Sequence, residues 1–302
     1  MYKRQWRLLL LLGFGFVNAA FFPGEILVLY ALVGFVLVPV RHWSNKALFI
    51  LAVFFMLQPV EWIKVVYSAF NLEANPNQMI YSLGDVYPQL GGDSFIDMVR
   101  VNLVTGQLAS LNWAWCYGRV FQTASLFILG VLVGRTGYFD VSTSESIKRT
   151  KEFWLKVLCI SLPVALGMFF VKRFVLEIID IKFMYSSMST ILNSWYNFAF
   201  MLCIVAVFLL LYLSFSGKVL KVLAPYGQMS LTDYVSQSIV GSFLYFGYGL
   251  GLHQYCGSTY SVLIGICFLT LQICFAHWWF GRFKRGPLET IWHRLTWIGS
   301  KR

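Results

Sequence analysis

An acid in a turn between two apolar stretches and a row of polar side chains along a third are the residues best placed to do chemistry. Glu25 follows Phe22-Pro23-Gly24, with Asn18, Gly24 and Tyr30 close by in sequence. A carboxyl in such a turn can act as an acid or base, or can simply start the helix that follows. Further on, Ser230, Tyr234, Gln237, Gly241, Tyr245 and Tyr248 recur at steps of 4, 3, 4, 4 and 3, one face of a helix, polar from end to end. Ser186, Thr190, Asn193 and Asn197 repeat the pattern in the preceding apolar segment. Polar groups inside a bilayer are costly and mark sites by default. The two rows therefore predict a polar cleft opening outward, with Glu25 and Gln237 as candidate catalytic residues and Asn18, Tyr30, Asn193, Asn197, Ser230, Tyr234, Tyr245 and Tyr248 as candidate substrate contacts. Hydrogen bonding between helices, about 0.6 kcal/mol per contact, is the competing account of the same rows.

Other polar groups have two readings each. Arg119 and Gln122 share the first outer turn of a helix, where a guanidinium binds a carboxylate or phosphate, or reaches toward lipid headgroups. Asp233 follows Ser230 and Thr232 at the start of a helix, a capping position. Glu61 and Lys64, three apart, form a candidate ion pair. His42, His253, His277 and His293 all map to loops or helix ends, so no metal site and no Ser/His/Asp constellation is expected. Six cysteines carry no metal-ligand spacing, and unpaired thiols are expected, with Cys116–Cys256 the alternative.

These residues need a bilayer to position them. The chain has 302 residues, 58% hydrophobic and only 12% charged, with mean hydropathy +0.67. One soluble core stops growing near this length, at roughly 250–300 residues, and could not hide so much apolar surface. Apolar runs near 6–22, 24–41, 47–66, 115–134, 153–174, 190–213, 229–251 and 260–280 predict an all-α polytopic bundle of about eight spans in a single membrane domain. Alternation from an inside N-terminus places 18 of the 24 Lys and Arg on the inner side, the expected positive-inside asymmetry, with both ends inside. The net charge of +11 is thus explained without nucleic acid. Lys3, Arg4 and Arg7 ahead of Leu8–Leu12 resemble a signal peptide, but the apolar run resuming after Glu25 predicts an uncleaved first helix. The outer connection, 67–114, is too long for a turn. Its first half, with Asn75-Pro76-Asn77 and Gly91-Gly92-Asp93, reads as irregular. Its second half predicts an amphipathic helix on the outer surface, lying in the membrane interface or over the bundle, with Ile96, Val99, Leu103, Val104, Leu108 and Leu111 on the apolar face.

Gly227-Gln228-Met229-Ser230-Leu231-Thr232-Asp233-Tyr234 with Gln237-Ser238, the tail Arg282-Phe283-Lys284-Arg285-Gly286-Pro287-Leu288-Glu289 with Trp292, and the turn Gly24-Glu25-Ile26-Leu27 with Tyr30 together resemble the YeiB-like family of bacterial membrane proteins of unknown function. The resemblance singles out Gly24, Gly227, Thr232, Gly286, Pro287, Glu289 and Trp292 as family positions, and implies a bacterial inner-membrane location. Members usually have Asp in place of Glu25, arginine at Gln228, many a histidine at Asn18, and about two further spans upstream. The family is distantly similar to transmembrane acyltransferases, which use Arg and His of their own first helix. The residues themselves call for no cofactor, and an acyl donor is the one candidate that the resemblance implies.

Three functions follow from these readings. The first is acyl-group handling at the outer face, with Glu25, Gln237 and the tyrosines on the acceptor side. The second is transport of a small molecule or lipid along the polar rows. The third is a non-catalytic membrane subunit. The bilayer is the one firm partner, and an oligomer or a partner chain fits the third.

Overall fold

The computed structural model describes residues 2–71, 79–137, 139, 143–214 and 220–298. Among them the chain is all-helical, with no strand. We number the principal helices α1 Tyr2–Ala19, α2 Leu27–Val40, α3 Asn45–Met56, α4 Pro59–Phe70, α5 Phe95–Val101, α6 Gln107–Cys116, α7 Arg119–Thr136, α8 Ser144–Ile178, α9 Lys182–Ser214, α10 Ser230–Tyr245, α11 Ser258–Phe280 and α12 Pro287–Thr296. A π turn, Asn102–Gly106, joins α5 to α6.

Four stretches are long and apolar enough to cross a membrane: Asn45–Phe70, Ser144–Ile178, Lys182–Ser214 and Ser258–Phe280. A fifth results if Phe95–Cys116 and Arg119–Thr136, bent by 75° at a short break, make one span. These apolar helices make the chain a membrane protein. Of the remaining expected spans, α1, α2 and α10 have 18, 14 and 16 residues.

The residues group into two compact units, one of Met1–Phe35, Ile80–Asn112 and Lys218–Arg302, the other of Val36–Met79 and Trp113–Gly217. In the first unit, α1 meets the tail helix α12, where the Trp6 indole N–H donates to the Leu295 carbonyl at 2.8 Å. Val86, Leu90 and Met98 form a small core with Phe246 and Tyr248 against it. In the second unit, α3 packs on α7 through Leu48, Ala52 and Ile128, and the Ser125 hydroxyl donates to the Ala52 carbonyl at 2.8 Å. Helices α8 and α9 pack through Ala165, Ala199 and Cys203.

The helical half of the long connection is present, with Met98, Asn102, Gly106 and Ala109 on its buried side, while Ile96 is 76% and Val104 59% exposed. Asn102 Nδ2 donates to the Ala20 carbonyl at 3.2 Å, and the charged Asp97 and Arg100 are exposed together with Ile96 and Val104. The polar row of α10 stops sooner than its spacing suggested. The helix ends at Tyr245 because Phe246 is extended and Gly247, whose N–H donates to the Leu90 carbonyl at 2.9 Å, lies against the Gly91 backbone where a Cβ would collide. Tyr248 therefore leaves the helix face and packs edge-on against Phe95, ring centres 5.1 Å apart. The Asn75-Pro76-Asn77 segment lies outside the described residues. Among the described residues no disulfide joins any of the six cysteines.

Candidate functional site

In the first unit, α1 ends at Ala19 and the chain turns, with the N–H groups of Phe21 and Phe22 both donating to the Asn18 carbonyl at 3.0 Å. The turn delivers Glu25 to a buried position, 1% exposed. Its carboxylate accepts hydrogen bonds from Asn18 Nδ2 and from the Leu27 N–H at the first turn of α2. Glu25 thus caps α2, one of the two roles its place in the sequence allowed. The Ser110 hydroxyl holds the Glu25 carbonyl at 2.9 Å. The other carboxylate contact is the Tyr234 hydroxyl of α10, at 3.5 Å. Tyr30, one turn into α2, is a neighbour of Tyr234.

Beside this pair lies a pocket of about 410 Å³ lined by Phe22, Tyr234, Gln237, Ser238, Gly241, Ser242, Tyr245 and Phe246. Of the α10 row, Tyr234, Gln237, Gly241 and Tyr245 line it. Its few polar groups are hydroxyls and amides without a formal charge, set in a mainly apolar wall. Gln237 is held in place, its amide N–H groups donating to Gln272 Oε1 at 3.0 Å and Tyr226 Oη at 3.1 Å. Gln272 in turn donates to the Asp233 carbonyl at 3.0 Å and to Ser236 Oγ at 2.8 Å. Gln272 escaped the sequence reading. Its signal was a single amide in the run 260–280, which only the other half of the pair makes meaningful.

The family positions have a structural explanation. Glu289 reaches from α12 to the N-terminus of α10, accepting from the Leu231 and Thr232 N–H groups at 2.8 and 3.0 Å and from the Thr232 hydroxyl at 2.6 Å. Thr232 Oγ1 accepts from the Leu288 N–H at 3.0 Å, so motif and tail clasp each other. The cap on α10 comes from Glu289, while Asp233 is buried behind it. Gly286 is required because a Cβ there would run into the Glu289 carboxylate and the Met229 side chain. Pro287 starts α12. Ser230, expected in the cleft, is exposed at the first position of α10 and does not line the pocket. Gly24 lies against the Phe22 ring, whereas nothing in the structure explains Gly227.

The remaining predicted residues fall in the second unit. Arg119 lies 5.6 Å from the Trp113 ring and donates to Gln122 Oε1 at 2.7 Å. Gln122 is buried and donates to the Ser194 carbonyl at 3.3 Å. Asn193 bonds Ser189 of its own helix at 3.1 Å, and Asn197 is half-buried. The structure adds Gln58, which the sequence reading missed. It stands between α3 and α4 at φ 59°, fully buried, donating to the Gly118 carbonyl at 2.9 Å and Ser194 Oγ at 3.2 Å. Gln-Pro within an apolar run was the available signal. One turn on, Lys64 Nζ and Glu61 Oε1 pair at 2.6 Å, both residues buried. Among the described residues no group of three or more His, Cys, Asp and Glu gathers for a metal.

The model of the family described as "Protein of unknown function (DUF418)" matches residues 133–299. The chain is also similar to the uncharacterised protein YxaH of Bacillus subtilis (strain 168), at 27% identity over 97% of this chain and 71% of that protein. No solved structure matches.

Proposed function

We propose that this chain, which belongs to the DUF418 family of proteins of unknown function, is a multi-pass membrane protein that takes a small hydroxyl-bearing substrate into the α10 pocket for acyl-group handling. The observation that carries the reading is the Tyr234 hydroxyl, which lines the pocket and stands 3.5 Å from the buried Glu25 carboxylate. A base is thereby one hydroxyl away from pocket space. An acceptor hydroxyl bound at Tyr234 passes its proton through the phenol to Glu25 while its oxygen bonds the acyl carbon. The donor's leaving group departs as that bond forms, and Gln237 fixes the acceptor's orientation. The resemblance to YeiB-like proteins, distantly similar to transmembrane acyltransferases, supports the same reading.

The arrangement proposed is eight spans in a bacterial inner membrane, both ends inside and the pocket toward the outer face. The contacts of Trp6 and Arg7 with α12 support it by bringing the start of α1 and the tail to one face of their unit. With 14 residues, α2 rises about 21 Å, so its crossing uses the turn around Glu25 as well. Mass spectrometry of O-acylated glycans and lipids in cells with and without the chain tests the function. One acylated species is expected to disappear, returning with wild type but not with Glu25→Gln or Gln237→Ala. No change in any acylated species overturns acyl transfer.

The second unit favours another reading, transport. Gln58 breaks the span Asn45–Phe70 beside a buried ion pair, and interrupted helices with polar groups at membrane depth are a common way to build a transport path. Labelled-substrate flux into proteoliposomes, abolished by Gln58→Leu, is its expected outcome; equal flux in empty vesicles removes it.

A further inference from the structure

A different pocket, of about 420 Å³, lies where α1 meets the tail, walled by Arg7, Arg285, Glu289, Trp292, His293 and Trp297 together with Thr296. Its cations ride on fixed backbone. The Arg7 guanidinium lies 5.0 Å over the Trp292 ring, and the Trp6–Leu295 hydrogen bond locks that turn of α1 to α12. The Arg285 carbonyl is held by the Trp279 indole N–H at 2.8 Å. The one acid in the wall, Glu289, spends its carboxylate on the N–H groups and hydroxyl at the start of α10. The charge facing the cavity is therefore positive. His293 reports it, being held below the ordinary histidine range by lost hydration and then by Arg285 and Arg7. The wall also holds a donor with no acceptor among the described residues, the Trp292 indole N–H.

The geometry points to a site for the phosphate of an anionic phospholipid headgroup, gripped by Arg7 and Arg285. Guanidinium groups bind phosphate oxygens with strong, charge-assisted hydrogen bonds. A lipid is the source favoured here because the pocket opens among apolar surface. Trp297 and Ile298 are 46% and 68% exposed on the tail, and Leu9 and Phe16 are 47% and 46% exposed along α1, where acyl chains would lie. Tryptophans at such a rim are the usual headgroup-level residues. The site is separate from the α10 pocket and does not depend on the function proposed for it.

The test is native mass spectrometry of the full chain, released from detergent containing equal amounts of dioleoylphosphatidylglycerol and dioleoylphosphatidylcholine. Wild type is expected to retain the anionic lipid in about tenfold excess, and Arg7→Gln with Arg285→Gln to erase the excess, as loss of two charge-assisted contacts requires. Arg173→Gln, an exposed cation on α8 paired with Glu177, is expected to keep it. Arg285→Gln alone, at an exposed side chain, guards against misfolding of the double variant and is expected to lose most of the preference. Equal retention of the two lipids by wild type, or a preference unchanged in Arg285→Gln, overturns the site. Displacement of the lipid by millimolar glycerol phosphate, with no dependence on acyl chains, overturns the lipid as its ligand and assigns a soluble phosphate instead.

Discussion

The two units each bury a glutamate, and they hold it in opposite ways. Glu61 is matched by Lys64 at 2.6 Å, with Ser187 also bonded to its carboxylate, so the group is close to neutral as a whole. Glu25 is held by an amide, a backbone N–H and a phenol, all uncharged. A carboxylate with a built-in counter-ion has little reason to exchange a proton. One held by neutral donors beside a pocket can do so whenever a substrate hydroxyl arrives. On the function proposed above, the difference puts proton chemistry in the first unit and leaves the second with a structural ion pair.

The largest expected effect tests that assignment directly. Glu61→Gln strands the Lys64 ammonium in a buried site and should cost roughly 3–5 kcal/mol, the usual penalty for breaking a buried pair. Glu61→Gln with Lys64→Met should restore most of it, as removal of both charges together usually does. Glu25→Gln keeps an oxygen for the Leu27 N–H and should cost less, about 1–3 kcal/mol. Thermal unfolding of the purified chain in detergent ranks the three. If Glu25→Gln proves as damaging as Glu61→Gln, Glu25 is structural first and the comparison collapses.

Next in size is the clasp between α12 and α10. Glu289→Ala removes three hydrogen bonds from a helix N-terminus and should destabilise by about 2 kcal/mol, at the upper end for a lost cap. Gly286→Ala pushes a methyl group into the same carboxylate and should lose a comparable amount, about 1–3 kcal/mol. Both effects belong in the melting temperature. If either variant keeps its stability and loses only a cellular phenotype, the clasp has a role beyond folding.

That clasp shows what sequence can and cannot reveal. Residues 227–234 and the tail 282–289 with Trp292 were legible as motifs that resemble a family's. Their joint role was not legible, since nothing within either segment says that Glu289 caps a helix 57 residues away. The apolar runs made the all-helical membrane class plain, and Tyr234, Gln237, Gly241 and Tyr245 fall along one pocket because a helical period is a local property. Tyr248 failed for the same reason. Where the helix stops depends on Gly247 meeting Gly91, a contact between distant segments.

A smaller effect is expected at Gln58. Its left-handed backbone strains any side chain, while its amide ties Gly118 and Ser194 together. Gln58→Gly relieves the first and loses the second, for a net cost of about 1 kcal/mol. Gln58→Leu keeps the strain and loses the amide, and should cost about 1 kcal/mol more. Equal melting temperatures for the two would mean that the backbone, not the side chain, sets the break.

The smallest change in stability should accompany the largest change in function. At 3.5 Å the Tyr234–Glu25 contact is at the outer limit of a hydrogen bond and contributes little to folding. Glu25 keeps its contacts to Asn18 and Leu27 without it. Tyr234→Phe should therefore shift stability by no more than about 0.5 kcal/mol, yet remove the only hydroxyl on the proposed route from pocket to carboxylate. Accumulation of the O-acylated product in cells carrying this variant, measured beside its melting temperature, separates the cases. Wild-type product with wild-type stability would mean that Glu25 is not reached through Tyr234, and the acid would be left as the cap of α2. Lost product with a melting temperature several degrees lower would instead make the hydroxyl part of the scaffold, and the contrast with Glu61 would lose its chemical meaning.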